Sequence, residues 1–338
     1  MTTEHMPFGE TRELKALREL LPTVEVKNKV IFVNPNLENP FRLEIGQPTN
    51  IGRFISAQNL KEDPGDKLYF ETERTHKRSL LLGRIMISEK PADNLPRQLY
   101  RDIDVKGVGY IVGGGIDEVH IHPKLQGNLG ILNKVEAKLN TNTSEILCKA
   151  GVKVARTVAI IELEEIVSSG KKISIKEAKK KKIIFQLAEP VLEVRAFPGT
   201  QERIVNLHNM ALSPEKRAAY IADAKALIIQ ELKPDTKSFS DEDYAVWFAK
   251  KLGENLGRMH KRGYMHKNIS EHNVTLDCTI VDFDTARFVE TPSDLANDFK
   301  MGEQVLHILI YSLGLSEAES ETALTVFKRS YDQHKKGF

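Results

Sequence analysis

Hydrophobic and polar positions follow two different periods along this chain, and the change of period divides it. From residue 24 to residue 197 the apolar positions gather in short runs rich in β-formers. Residues 24–33, 41–45, 79–87, 102–112, 154–166, 183–187 and 191–197 predict strands. Two helical patterns fall in the same half. Residues 11–21 place Leu14, Leu17 and Leu20 on one face before Pro22, which predicts a short amphipathic helix, and residues 132–150 predict a longer one. From Ser213 onward the period is helical. Ser213-Pro214 supplies a cap and a first-turn proline for a helix that stops before Pro234. Ser240 caps a second helix, which carries Trp247, Phe248, Leu252, Leu256 and Met259 as core residues and ends at Gly263. Ser316 with Glu319 forms a capping box for the last helix. One compact β element, residues 274–283, interrupts this half. The expected plan is α+β in two lobes: a strand-rich N-terminal lobe with one long helix over residues 1–197, and a helical C-terminal lobe with a β-hairpin over residues 198–338.

Composition changes this picture only by exclusion. The 338 residues are 41% hydrophobic and 28% charged, enough apolar material for two cores. Forty-nine basic against forty-seven acidic residues leave no overall field that would attract nucleic acid. Cys148 and Cys278 show no metal-ligand spacing and no disulfide framework, so reduced thiols in a cytoplasmic setting are expected. No apolar run is long enough to span a bilayer, and residues 1–10 lack the layout of a signal peptide, so no membrane partner is expected. Residues 171–182 hold seven lysines and one glutamate. They are expected to form a solvated turn between strands, with a docking patch for an acidic partner as the alternative.

The densest chemistry lies in Gly263–Asp284. Two β-prone runs flank Asp277-Cys278; a two-residue hairpin there would oppose Leu276 to Thr279, Val274 to Val281 and Asn273 to Asp282. An amide oxygen and a carboxylate would then meet at the open end. A few hard oxygen ligands that leave room for water and phosphate suit Mg²⁺, with Mn²⁺ as the alternative ion. The layout is similar to the metal half of a protein kinase site, in which His-Arg-Asp-x-x-x-x-Asn and Asp-Phe-Gly hold the metal. Here the segments read His266-Lys267-Asn268-Ile-Ser-Glu-His-Asn273 and Asp282-Phe283-Asp284. Asn268 stands where a kinase has its catalytic aspartate, and an amide cannot accept a proton. Upstream, Lys106 in Asp102-Ile-Asp-Val-Lys-Gly-Val-Gly109 is the candidate phosphate-holding lysine, although the glycines follow it instead of preceding it. His120 and His122 form a His-x-His pair that lacks a third ligand and is expected to be a polar strand face. Gly113-Gly114-Gly115 matches no phosphate-loop spacing.

Taken in order, several segments resemble the selenoprotein O family of kinase-like protein adenylyltransferases. Arg78-Ser-Leu-Leu-Leu-Gly-Arg-Ile85 is similar to that family's Arg-Ala-Ile-Leu-Leu-Gly-Glu-Val, and Val105-Lys-Gly-Val-Gly109 to its Leu-Lys-Gly-Ala-Gly. Ser144-Glu-Ile-Leu-Cys-Lys-Ala-Gly-Val-Lys-Val-Ala-Arg156 is similar to Ser-Glu-Ala-Met, five residues, then Pro-Thr-Thr-Arg. Val191-Leu-Glu-Val-Arg195, followed by Arg203, is similar to Val-Leu-Leu-Arg with a second arginine, and the Asn273-to-Asp282 spacing also matches. The resemblance implies a protein-kinase-like fold and transfer of AMP from ATP to a Ser, Thr or Tyr hydroxyl of an acceptor protein. In that family ATP binds flipped, with its γ-phosphate buried. The matching positions here imply that Asn273 and Asp282 hold the metal, that Lys106 holds a phosphate, and that Arg195 and Arg203 clamp the far phosphates, with Arg78 as a further contact. An ordinary phosphotransferase and a nucleotide-binding pseudokinase scaffold are the alternatives.

Two positions depart from the family pattern. His272 replaces an acidic residue before the metal asparagine and is the candidate base, with Glu271 beside it. The helix glutamate that should orient Lys106 counts back to Asn140, which leaves Glu136 and Glu145 as candidates. Nothing after Asp284 aligns.

Overall fold

The computed structural model describes residues 18–55, 68–73, 79–89, 99–112, 115–117, 120–122, 127–168, 170–208, 213–232 and 239–336. Among them a large sheet and a separate group of helices make an α+β protein. The chain divides into two compact units, one with residues 18–141 and Arg156–Ala196, the other with Asn142–Ala155 and residues 197–336. Compared with a single border after residue 197, this division places Asn142–Ala155 with the later residues.

In the first unit the strands are β1 (Arg18–Glu25), β2 (Asn28–Val33), β3 (Arg53–Ile55), β4 (Leu68–Glu73), β5 (Ser79–Ser88) and β6 (Leu99–Lys106). Two small hairpins follow, β7–β8 (Tyr110–Val112, Gly115–Asp117) and β9–β10 (His120–His122, Gly127–Leu129). Next come β11 (Leu132–Asn133), helix α1 (Lys134–Lys149), β12 (Arg156–Leu163), β13 (Glu165–Ser168), β14 (Lys171–Ser174), helix α2 (Ile175–Lys180) and β15 (Pro190–Phe197). Nine strands form one sheet in the order β2-β12-β15-β6-β5-β4-β1-β3, with β11 on β15. Strand alternation explains what the sheet buries. Ile103 and Val105 of β6, and Leu192, Val194 and Ala196 of β15, point into a core with Val24, Phe54 and Ile161. The intervening positions, Asp102, Asp104, Lys106, Glu193 and Arg195, therefore share the opposite face.

Three expected elements differ. Arg18–Leu21 is strand, paired register by register with β4, because the ladder to residues 68–73 outweighs a local helical pattern; residues 11–17 of that expected helix lie outside the described residues. Residues 41–45 form no strand, since the Asn39 side chain brackets Leu43 by donating to its carbonyl and accepting from its amide, and Arg42 is left-handed. Residues 183–187 form turns after α2: Lys182 is left-handed and Ile183 N–H donates to Ala178 O. The lysine-rich segment becomes β14 and α2, with Ile173 and Ala178 inward and the lysines on the outside.

The second unit contains α3 (Val205–His208), α4 (Pro214–Leu232), α5 (Asp241–Lys261), α6 (Pro292–Leu313) and α7 (Glu317–Lys335), with a short pair β16–β17 (Tyr264–Met265, Arg287–Phe288). The caps expected at Ser213, Ser240 and Ser316 all form, and those at Ser240 and Ser316 are complete capping boxes. Helix α5 is the axis of this unit, with Trp247, Phe248, Leu252, Leu256 and Met259 buried. Glycine is required where α7 crosses it: a Cβ at Gly253 would lie 2.5 Å from Phe327 O, and one at Gly257 2.7 Å from Tyr331 O. Among the described residues no helix is long and apolar enough to cross a membrane.

Candidate functional site

Candidate chemistry gathers at one place in each unit. In the helical unit it is the hairpin after α5. Its register differs by one residue from the expected two-residue turn, because Val274 pairs with Ile280 and Thr275 N–H donates to Thr279 O. Asp277 explains the larger turn. Its carboxylate is folded inward, accepts hydrogen bonds from the Thr275 and Thr279 hydroxyls, and lies 3.1 Å from the Lys153 ammonium. Cys278 then takes up the left-handed conformation that closes the turn. Tyr244 and Asn255 of α5 donate to Leu276 O and Cys278 O, which seats the turn on the helix. In this register Val281 N–H donates to Asn273 O, so Asn273 and Asp282 are not directly opposed as expected, and continuing the ladder sets His272 against Asp282.

Arg203 closes the open end of this hairpin. Its Nη1 donates to His272 O and lies 3.2 Å from the Asp282 carboxylate. Asp282 itself is left-handed, with φ 61, a strained setting for a residue with a Cβ. The Asn273 amide is fixed by a 2.9 Å hydrogen bond from its Nδ2 to Asn268 O, which orients its oxygen as an acceptor. A carboxylate and an amide oxygen are donors of the kind that Mg²⁺ takes. Among the described residues no group of three or more His, Cys, Asp or Glu side chains could hold a metal.

The loop leading to this point is anchored from below. Asp298 of α6 is fully buried and accepts from the backbone N–H groups of His266 and Lys267, at 2.8 and 2.9 Å. It also meets His260 Nε2 at 3.2 Å, and His260 Nδ1 meets the Tyr331 hydroxyl of α7 at 2.8 Å. The His266 ring packs on Phe283, and its Nε2 donates to Val281 O at 2.8 Å. Loop and hairpin are thus tied to each other by side chains whose own positions are buried. The His272 ring, by contrast, is exposed, with its Nε2 3.8 Å from Glu271.

In the sheet unit the candidates lie on the polar face. Arg195 is buried and donates through Nε and Nη2 to both carboxylate oxygens of Asp104, at 2.8 and 2.6 Å, a bidentate charge pair. Glu193, two residues away on the same face, is buried and accepts from the Thr157 hydroxyl at 2.6 Å and from the Asn140 amide. Burial pushes the Glu193 carboxyl up from its ordinary value, while the charges of Arg195 and Lys106 pull against that shift. Lys106 is half-buried at the end of β6.

The expected site residues therefore fall into two groups. Arg203, His272, Asn273 and Asp282 come together in the helical unit; Lys106 and Arg195 belong to the sheet unit. Of the two candidate partners for Lys106, Glu136 is used as a cap, accepting the Asn133 N–H at 3.3 Å, and Glu145 lies on the part of α1 that belongs to the helical unit. Arg78 lies outside the described residues. His120 and His122 sit on β9, paired with β10. Sequence reasoning missed Glu193, Lys153, Asp277 and Asp298. Glu193, Lys153 and Asp277 are charged residues inside otherwise apolar stretches, which was the available signal; Asp298 lies in the mixed run Asp294–Lys300 and gave none. No family model and no curated protein matches the chain.

Proposed function

We propose that this protein is a kinase-like adenylyltransferase that uses Mg-ATP to place AMP on a Ser, Thr or Tyr hydroxyl of an acceptor protein. The observation that carries this reading is the end of the hairpin, where the Arg203 guanidinium lies 3.2 Å from the Asp282 carboxylate and the Asn273 amide is held on Asn268 O. Asn273 and Asp282 would hold Mg²⁺, which when bound supplies positive charge to the phosphate oxygens. Arg203 would add a guanidinium for a phosphate next to that ion. Asn268 cannot act as a base, so the reading departs from a kinase here and gives the hydroxyl proton to the exposed ring of His272. In the step itself the acceptor oxygen bonds to the α-phosphorus, the bond from that phosphorus to the bridging oxygen breaks, and pyrophosphate leaves with the electron pair. Arg195, whose guanidinium forms a bidentate pair with Asp104, and Lys106 would also hold phosphates in this reading.

The test is incubation with Mg²⁺, a cell extract as acceptor, and ATP labelled on either the α- or the γ-phosphate. The expected result is α-label on protein with release of pyrophosphate, lost in Asp282→Ala and in Arg203→Ala. Transfer of γ-label alone would overturn the reading in favour of a phosphotransferase. Binding of ATP without transfer of either label would leave a scaffold.

A further inference from the structure

The lysine-rich segment takes no part in the proposed chemistry, yet the fold puts it on display. Residues 171–182 hold seven of the chain's 49 basic residues and one of its 47 acidic ones, so the remainder of the chain carries an acidic excess. We propose that β14, α2 and the turn that follows them form a docking surface for an anionic lipid bilayer. The surface belongs to the sheet unit, and its use does not depend on the adenylyltransferase reading.

Local structure turns these lysines outward. In β14, Ile173 pairs with Ile166 and is buried, so alternation directs Lys172 and Ser174 to the opposite side. In α2, Ala178 is fully buried, and the helical period then places Lys176 and Lys180, four residues apart, on the far side of the helix. Ser174 caps α2 by accepting the Glu177 N–H at 3.1 Å. Glu177, the one acid of the segment, pairs with Lys181 at 2.6 Å. Lys172, Lys176, Lys180 and Lys182 are all exposed.

Charge alone describes a solvated face; the second observation is apolar. Ile184 and Ala188 are buried in the sheet core, and Ala188 N–H donates to Phe185 O at 3.0 Å. Gln186 Nε2 donates to Lys179 O at 2.8 Å, which holds the turn against the end of α2, beside its lysines. On this turn Leu187 is 89% exposed and Phe185 38%. The fold thus leaves in water a leucine whose burial would be favourable. It protrudes instead of lining a groove, so it suits a soft surface better than a peptide, whose anchors need pockets. Single-stranded nucleic acid is gripped by aromatic stacking and arginine, whereas the cations here are all lysine and the most exposed apolar group is aliphatic. Lysines drawn to anionic headgroups, with an apolar side chain entering the headgroup–acyl boundary, make a peripheral contact that needs no spanning segment.

The test is sedimentation of the full chain with vesicles of phosphatidylcholine alone, or of equal parts phosphatidylcholine and phosphatidylserine. Binding to the anionic vesicles only is expected, and it should fall as salt is raised. Each lysine adds roughly fivefold to binding at such a surface, so Lys172→Gln, Lys176→Gln and Lys180→Gln together should weaken it by about 100-fold. Leu187→Ser keeps every charge and should weaken it by roughly tenfold. Both variants should unfold at the wild-type midpoint by circular dichroism, since all four positions are exposed. Equal sedimentation with neutral and anionic vesicles, or wild-type binding by either variant, would overturn the proposal. So would binding to polyuridylate or polyglutamate that is lost in the lysine variant, without sedimentation on vesicles; the segment would then serve RNA or an acidic protein.

Discussion

The Lys153 ammonium lies 2.7 Å from Glu231, 3.1 Å from Asp277, and over the Trp247 ring at 5.5 Å. Burial would lower its pKa, but Asp277 and Glu231 outweigh that and hold it above the usual lysine value. With the folded value raised, its contribution is complete below the unfolded value of 10.5 and fades only as pH rises beyond it, so it is constant through neutral pH. Lys153→Met would leave the Asp277 carboxylate buried beside the hairpin turn without its cation. A loss of roughly 3 kcal/mol is expected, partly recovered by adding Asp277→Asn. Urea unfolding followed by the fluorescence of the single tryptophan checks this, and an unchanged midpoint in Lys153→Met would refute it. Residues of this kind mark the limit of sequence reading. Asn273 and Asp282 could be read together because both lie in one hairpin. Lys153, Glu193 and Asp298 were not, because their partners lie in distant parts of the chain.

Elements were legible where their signals are local. The helices appeared with their caps because Ser240 and Ser316 satisfy amides three residues away. The hairpin appeared, but its register slipped by one, since the hydroxyls that draw Asp277 inward do not show in a pattern of apolar positions. Residues 41–45 and 183–187 were misread because isolated apolar side chains on turns imitate short strands. Pairing between elements adds a further test. Glu162 of β12 joins Lys29 of β2 at 2.7 Å and Lys134 of α1 at 2.9 Å. Hydrogen bonds from Lys29 and then Lys134 hold its carboxyl below the ordinary 4.5. A lowered value means stability that is present above 4.5 and lost as pH falls through the folded value. Glu162→Gln should therefore destabilise the protein at pH 7 by no more than about 1 kcal/mol, because the lysines are solvated. The gap from wild type should close as pH falls below 4.5 in thermal unfolding, and a gap that widens on acidification would contradict the assignment.

At the scale of the molecule, the change from a period of two to a period of 3.6 announced two differently built units. The sheet order and the transfer of Asn142–Ala155 to the later unit were hidden, because both depend on which distant segments pair. The helical unit depends on one close crossing. At Gly253 and Gly257 the backbone of α7 comes so near α5 that no side chain fits. Gly257→Ala should cost roughly 1–3 kcal/mol through overpacking, read as a lower midpoint for the tryptophan signal. An equal midpoint would show that the crossing can open. The same crossing sets a schedule for synthesis. Residues 327 and 331 are made 74 residues after 253 and 257. At roughly 5–20 residues per second, α5 leaves the ribosome on the order of several seconds before α7 can cover it. Through that interval the groove that seats Phe327 and Tyr331 stays open, and the nascent chain is then at its most vulnerable to a wrong partner.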